Sequence, residues 1–437
     1  MSQVLKPKKG YKSVPWLFGK EIEIPEEWEV KKLNEITNKI GDGIHSTPEY
    51  VEHSEYYFIN GNNLINGKIT YFENTKNVSK EEFLKYELKL NENTILLSIN
   101  GTIGNVAFYN KEKIILGKSA SYIICNDKLN TLFLFYQLQS NLTKKYFSTQ
   151  LTGTTISNLS LSSIRNMIFH LPLFPEQQKI ASILSNINNL IESTRQVIKN
   201  SKSLKTGLVQ KLLTRGIGHT KFKKLIVIPR FIDFTYPEDW EIFTLEKLSS
   251  EIKDGPMGFG LHTSDYVGKG IPILRIQNLK KLTVTKNDLR FISQEKHIEL
   301  KKSQVKPLDI IISKTGILGM LGIVPENYGP ANLNQALARI TLKDKESVFY
   351  IASFLASKIP QQILNVVGSG RTVQAGLKLS DIKNLKIPLP PLPEQQQIAS
   401  ILSNIDAQIN SQTQYKEKLE RLKKSLMQKL LTGAVRV

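Results

Sequence analysis

One stretch of this chain occurs twice, and the rest is arranged around it. Residues 171–214 read LPLFPEQQKIASILSNINNLIESTRQVIKNSKSLKTGLVQKLLT, and residues 389–432 read LPPLPEQQQIASILSNIDAQINSQTQYKEKLERLKKSLMQKLLT. At an offset of 218 the two align without a gap, and 25 of 44 positions are identical. A match of this length marks an internal duplication, which constrains the fold before any local reading does. Each copy reads as one long helix. Pro175 and Pro393 suit the first helical turn, where a missing N–H costs nothing, and Glu176 and Glu394 complement the helix dipole there. Apolar residues follow at spacings of three and four. In the first copy they are Ile180, Ile183, Ile187, Leu190, Val197, Leu204 and Leu208; in the second, Ile398, Ile401, Ile405, Tyr415, Leu419, Leu422 and Leu426. This is the seam pattern of a coiled coil, interrupted at Thr194, Ser201, Gln408 and Gln412 by polar groups that can fix register. Two helices of matched length and seam are expected to pack on each other.

The duplication extends beyond the helices. IPEEWEVKKLNEI begins at Ile24 and YPEDWEIFTLEKL at Tyr236. Between these entries and the helices, fainter matches continue. Asp42-Gly43 answers Asp254-Gly255, Asn62-Asn63-Leu64 answers Gln277-Asn278-Leu279, and Ser119-Ala120-Ser121 falls opposite Asn334-Gln335-Ala336. TILLSINGTIGNVAF at Thr94 answers DIIISKTGILGMLGI at Asp309, and Gly153-Thr154-Thr155-Ile156 answers Gly370-Arg371-Thr372-Val373. Scaffold positions agree while polar loop residues differ, as expected of two copies of one frame that read different things. Short β-rich runs (56–59, 94–99, 106–109, 122–125, 271–276, 309–313) alternate with Gly- and Asn-bearing turns, and helices are expected at 131–139 and 348–357. The expected organisation is an arm (1–24), a mixed α/β domain (25–170), a long helix (171–216), a connector (217–236), a second α/β domain (237–388) and a second long helix with a tail (389–437). The fold class is α+β in tandem repeat with a pseudo-two-fold relation.

The 59 Lys and Arg exceed the 39 Asp and Glu by 20, an excess that suits a polyanion, most simply nucleic acid. One cysteine, Cys125, rules out an internal disulfide framework and fits a reducing, cytoplasmic setting. Without an apolar run of about 18 residues, no membrane partner is expected.

With these motifs assembled, the layout of globular domain, PEQQ-x-IASILSNI helix, second domain and second helix resembles the specificity subunit of type I restriction–modification systems. The resemblance covers nearly the whole chain from about Ile24. It implies two target-recognition domains, each reading one half of a split, asymmetric site on double-stranded DNA. The helices are implied to form an antiparallel coiled coil that sets the spacer and docks two modification subunits, the N6-adenine methyltransferases. A restriction subunit, translocase and nuclease, would complete the assembly.

Loop position and side-chain chemistry then nominate the readers. In the first domain they are Lys39, His45, Ser46, Thr47, Asn62, Asn63, Asn100, Lys118, Thr154, Thr155 and Ser157. In the second they are Lys253, His262, Thr263, Arg275, Gln277, Asn278, Lys314, Thr315, Asn334, Gln335, Arg371 and Gln374. Arg275, Gln277, Gln335 and Arg371 lead, because arginine bonds guanine and amides bond adenine bidentately; each residue equally suits a turn or strand end. Gly101, Gly104, Gly316 and Gly319 are read as tight-turn formers rather than a phosphate cradle. The repeat also preserves polar positions that a seam does not need: Gln177, Gln178, Ser185 and Asn186, with Gln395, Gln396, Ser403 and Asn404. These nominate a docking face presented twice. No catalytic residue, metal site or cofactor is expected. The sequence lacks an Asn-Pro-Pro-aromatic motif and a Walker loop, its six histidines are scattered, and Cys125 sits in an apolar run. The chain is therefore read as a non-catalytic recognition subunit. The alternative is a self-contained DNA-modifying or DNA-cutting enzyme, which would need its own S-adenosylmethionine or nuclease site.

Overall fold

The computed structural model describes residues 8–16, 21–152, 157–228, 232–256, 260–280, 282–369 and 376–437. It comprises two compact units, one formed by residues 1–195 with 414–437 and the other by residues 196–413. Each unit contains one globular domain and a stretch of both long helices, which run Phe174–Arg215 and Leu392–Leu430.

In the first domain, strands Val106–Phe108, Thr94–Ser98, Ala120–Cys125 and Thr37–Asp42 form one antiparallel sheet in that order. Thr94–Ser98 and Ala120–Cys125 are buried along their whole length, so they read as continuous apolar runs rather than as alternating ones. A second small sheet orders Ile114–Leu116, Tyr56–Ile59, Lys76–Val78 and Tyr50–Val51. Helix Thr131–Leu138, capped by Asn130, buries Phe133, Leu134 and Leu138 in the main core. The second domain repeats this frame: Ser249–Asp254, Leu337–Leu342, Ile310–Ser313 and Leu321–Ile323 pair in sequence, beside a sheet containing Ile271–Leu274 and Asn332–Leu333. The expected strands and helices are thus present, with small differences at their ends. The helices Asn141–Gln150 and Lys358–Ser369, which were not expected, add to them.

Each domain closes on itself before its long helix begins. Glu29–Lys32 pairs antiparallel with Ile168–Leu171, and Glu241–Thr244 pairs with Lys386–Leu389. The arm and the connector both contain hairpins: Tyr11–Pro15 with Glu21–Pro25, and Phe222–Ile228 with Ile232–Pro237. The repeat therefore starts before the Trp entry phrase, in a segment where the two sequences have diverged.

The helix seam corrects the sequence reading by one residue. In the first unit Ile180, Leu184, Ile187, Ile191 and Thr194 are buried, and Ile187 and Ile191 pack with Leu419 and Leu426. In the second unit Leu212 shares a core with Ile398 and Leu402. Ile180, Ile187 and Thr194 belong to the expected line, but its other half lies at 184, 191 and 198. Leu190, Val197 and Leu204 are instead 48%, 42% and 58% exposed, and their copies Tyr415 and Leu422 are exposed too. Both helices carry two adjacent apolar lines, and only packing decides which is covered. Two lysines occupy the true seam at equivalent places. Lys423 donates to Asn188 Oδ1 at 2.7 Å in the first unit, and Lys205 donates to both Asp406 oxygens at 2.7 and 2.6 Å in the second. The offset of 218 maps Asn188 onto Asp406 and Lys205 onto Lys423, so one contact is made twice with different chemistry.

The entry phrase and the helix start are one device. In the first unit the indole N–H of buried Trp28 donates to Glu176, 3.0 Å away, in the first turn of the first long helix. Arg436, beyond the end of the second long helix, donates to the same carboxylate at 2.6 and 3.0 Å. In the second unit Trp240 donates to Glu394 at 3.1 Å, and Ile217 N and His219 Nε2 close the same carboxylate at 2.8 and 3.0 Å. A buried carboxylate needs such donors, which explains why Trp and Glu recur together though some 150 residues apart.

Candidate nucleic-acid interface

The candidate loops of each domain meet at one edge of the sheet, joined by backbone bonds. In the first domain Gly117 N donates to Ile59 O at 2.8 Å, Ile99 N to Ser119 O at 3.0 Å and Leu159 N to Ile99 O at 2.8 Å. Gly61 N donates to Ser119 Oγ at 2.9 Å. These bonds, with Ile44 N to Leu116 O at 2.8 Å, bring together the segments around residues 43–47, 60–63, 99–104, 117–119 and 157–159. In the second domain the matching bonds are Asn334 N to Leu274 O at 3.0 Å, Lys314 N to Ala336 O at 2.8 Å and Leu377 N to Lys314 O at 2.8 Å. The turns depend on Gly101, Gly104, Gly316 and Gly319, at φ of 71°, 89°, 71° and 72°, which agrees with the tight-turn reading.

The matched bonds also shift one expected correspondence by two residues. Ala120 N donates to Gly117 O, and Leu337 N to Asn334 O. Asn334 therefore matches Gly117 rather than Ser119, and Lys118 and Gln335 hold the same place. Both are exposed, and neither side chain has a partner among the described residues.

Several nominated residues are occupied by the fold. Asn63 is buried, accepting from Asn60 N at 2.9 Å and donating to Thr70 O at 2.9 Å. Asn278 does the same between Arg275 N and Asn287 O, at 2.8 and 2.7 Å. These two asparagines hold turns and do not face a ligand. Lys314 is buried in an ion pair with Asp254. Gln177 is buried as well, donating to Pro172 O at 3.0 Å and Lys128 O at 2.9 Å, and Gln395 is buried beside Pro390 O at 2.8 Å. Neither glutamine lies on an outward docking face, because each satisfies backbone groups at a helix start. Gln178, Asn186, Gln396, Ser403 and Asn404 are exposed and Ser185 is half-buried.

Others lie at the surface. Lys39, His45, Ser46, Thr47, Asn62, Ser157, His262, Thr263, Gln277 and Thr315 are exposed, and Asn100, Lys253, Arg275 and Asn334 are half-buried. His45 Nε2 lies 2.9 Å from Asp42. Asp288 gathers two leading candidates, Arg275 Nη2 at 3.1 Å and Gln277 Nε2 at 2.7 Å. Its carboxyl sits below the usual range because Gln277 and then Arg275 favour the charged form. Thr154, Thr155, Arg371 and Gln374 lie outside the described residues.

Tandem units built on one frame, each presenting a different polar set at the same sheet edge, now stand beside the comparisons with known proteins. The model of the type I restriction modification DNA specificity domain matches residues 25–201 and again 237–421. The chain belongs to this specificity-domain family. A type I restriction enzyme specificity subunit of Methanocaldococcus jannaschii, MjaVIII, is 29% identical over 95% of both chains. The EcoBI specificity subunit of Escherichia coli is 28% identical over 71% of this chain and 66% of its own. The S subunit structure from M. genitalium superposes with a TM-score of 0.55 at 16% identity, over 92% of this chain and 96% of that one. A subunit from a type I restriction–modification assembly gives 0.58 at 16%, over 95% and 100%. Both show a shared fold.

Reactive groups in this specificity-domain chain are placed as core. Cys125 is buried and desolvation pushes its thiol up to about 12; Leu342 takes its place in the matching strand of the second domain. His170 is buried beside Trp16, held neutral by burial at about 4, with Nε2 unpartnered. Among the described residues no cluster of His, Cys, Asp and Glu could hold a metal ion, and no helix is long and apolar enough to cross a membrane.

Proposed function

We propose that this chain is the DNA-recognition subunit of a type I restriction–modification complex, without catalysis of its own. Each domain reads one half of a bipartite, asymmetric site on duplex DNA. The observation that carries this reading is the pairing of one conserved frame with two unlike loop sets, Lys118 against Gln335 and Asn62 against Gln277 at matching positions. Asymmetric loops on a repeated frame call for unlike half-sites. Lysines would settle on phosphates and set the register, while amides and arginines would read base edges. The paired helices would fix the spacer. Their repeated outer face, with Gln178 and Gln396 and the uncovered apolar line of Val197, Leu204, Tyr415 and Leu422, would dock two modification subunits equivalently.

Methylome sequencing of a host expressing this chain with its modification subunit tests the proposal. The expected motif has two defined, different half-sites around an undefined spacer. A continuous or palindromic motif would contradict it, as would methylation by the chain without the second subunit.

A further inference from the structure

Asn278 ties together two arms of one loop in the second domain. It is fully buried, accepts from Arg275 N at 2.8 Å and donates to Asn287 O at 2.7 Å, while Thr285 N donates to its carbonyl at 2.8 Å. The clamp brings the next residue, Asp288, opposite Arg275 and Gln277. Arg275 Nη2 donates to the Asp288 carbonyl and, at 3.1 Å, to its carboxylate; Gln277 Nε2 donates to the same carboxylate oxygen at 2.7 Å. The two donors differ in exposure. The Arg275 side chain is only 16% exposed, and its Nε is buried without a partner. Gln277 is exposed, and its side chain makes no other bond among the described residues.

A carboxylate can only accept, so it turns the Gln277 amide with its nitrogen toward Asp288. The carbonyl oxygen and the second N–H are left for a ligand, an acceptor beside a donor, the set that bonds adenine at N6 and N7. Arg275, largely covered and bonded twice to Asp288, holds that carboxylate in place rather than facing a base. The first domain keeps the clamp without the tether. Asn63 makes the bonds of Asn278, but Asn60 and Asn62 stand where Arg275 and Gln277 do. Asn60 accepts from Ser119 Oγ at 2.8 Å, and among the described residues no carboxylate bonds either side chain. A partner docking equally on both halves would meet unlike groups here, whereas two different half-sites call for such a difference.

We propose that Arg275 and Asp288 are positioning residues that set the amide of Gln277 to read an adenine in the second half-site. The proposal rests on the DNA-recognition reading and narrows it, taking Arg275 out of direct base contact and giving Gln277 one base. Without the carboxylate the amide can present donor or acceptor to a base edge alike. An orientation held before binding also lowers the cost of ordering that side chain on the DNA. An exposed ion pair contributes little to stability, so removing the tether leaves the fold intact.

The test uses the chain in complex with its modification subunits, carrying Q277A, D288G, D288N or Q277A with D288G. Asp288 has a φ of 49°, which glycine and asparagine both accept, and melting temperatures are compared with the unchanged complex. Anisotropy titrations measure binding to the target, to random DNA and to duplexes with each base pair of the second half-site substituted in turn. Q277A should lose about tenfold in discrimination at one A·T pair. D288G should lose about as much at the same pair, and nothing further when combined with Q277A. D288N, whose carbonyl oxygen still accepts, should stay within about threefold of the unchanged complex. Full additivity of D288G and Q277A, or equal weakening of target and random DNA by D288G, overturns the positioning role and leaves Gln277 a reader. A Q277A loss at a G·C pair overturns the adenine assignment. No loss from Q277A at any pair overturns the inference while the other loop candidates stand. Failure of the unchanged complex to prefer its target would remove the DNA-recognition reading itself.

Discussion

Lys118 and Gln335 occupy one position in two copies of the same frame, and their chemistries predict different losses. Gln335→Ala should relax a single base pair in the half-site read by the second domain, at a cost of about 1–3 kcal/mol in discrimination. Lys118→Ala should weaken specific and random duplexes alike and flatten the salt slope by about 0.9. Anisotropy titrations on matched and single-substituted duplexes read both; equal weakening on all duplexes by Gln335→Ala would make it a phosphate contact. At this scale the sequence was only partly legible. It placed Asn62 and Asn63 in one loop but could not say that Asn63 turns inward to bond Asn60 N and Thr70 O while Asn62 stays exposed. Nor could it pair Lys314 with Asp254, 60 residues earlier in the chain. Side-chain direction in a loop depends on which backbone groups still lack partners, and that is settled only in three dimensions.

The long helices show the same limit one level up. Composition and period identified both helices and one line of each seam. The other line was displaced by one residue because Leu190 and Val197 are as apolar as their neighbours Ile191 and Ile198, and only packing decides which line is covered. The seam lysines give a prediction. Lys423 lies below its ordinary 10.5, chiefly through burial and then through Arg195, with Glu420 opposing. A lysine depressed in the folded state binds fewer protons there than in the unfolded chain. Its contribution therefore makes stability rise with pH just below 10.5 and fall as pH drops through the folded value. Asn188→Asp copies the Asp406 contact of the second unit. It should stabilise by about 1 kcal/mol at neutral pH and remove that rise. Thermal unfolding at pH 7 and near pH 10 measures both effects. A destabilised variant, or an undiminished alkaline rise, would show that Lys423 does not carry its charge within reach of position 188.

For the whole molecule, the tandem plan was plain in the sequence because duplicated scaffold positions answer to the same packing in each unit. The Trp28–Glu176–Arg436 and Trp240–Glu394–His219 clusters were not, since they join entry, helix start and the segment beyond the other helix, each distant in sequence. Each unit closes around its own carboxylate, which predicts that a domain can be exchanged without dismantling the other. Replacing residues 25–170 with the equivalent domain of a related specificity subunit of known target, followed by methylome sequencing with the cognate modification subunit, tests this most directly. One half of the methylated motif should change to the donor's half-site, while the other half and the spacer persist. A change in both halves would contradict independent reading by two domains.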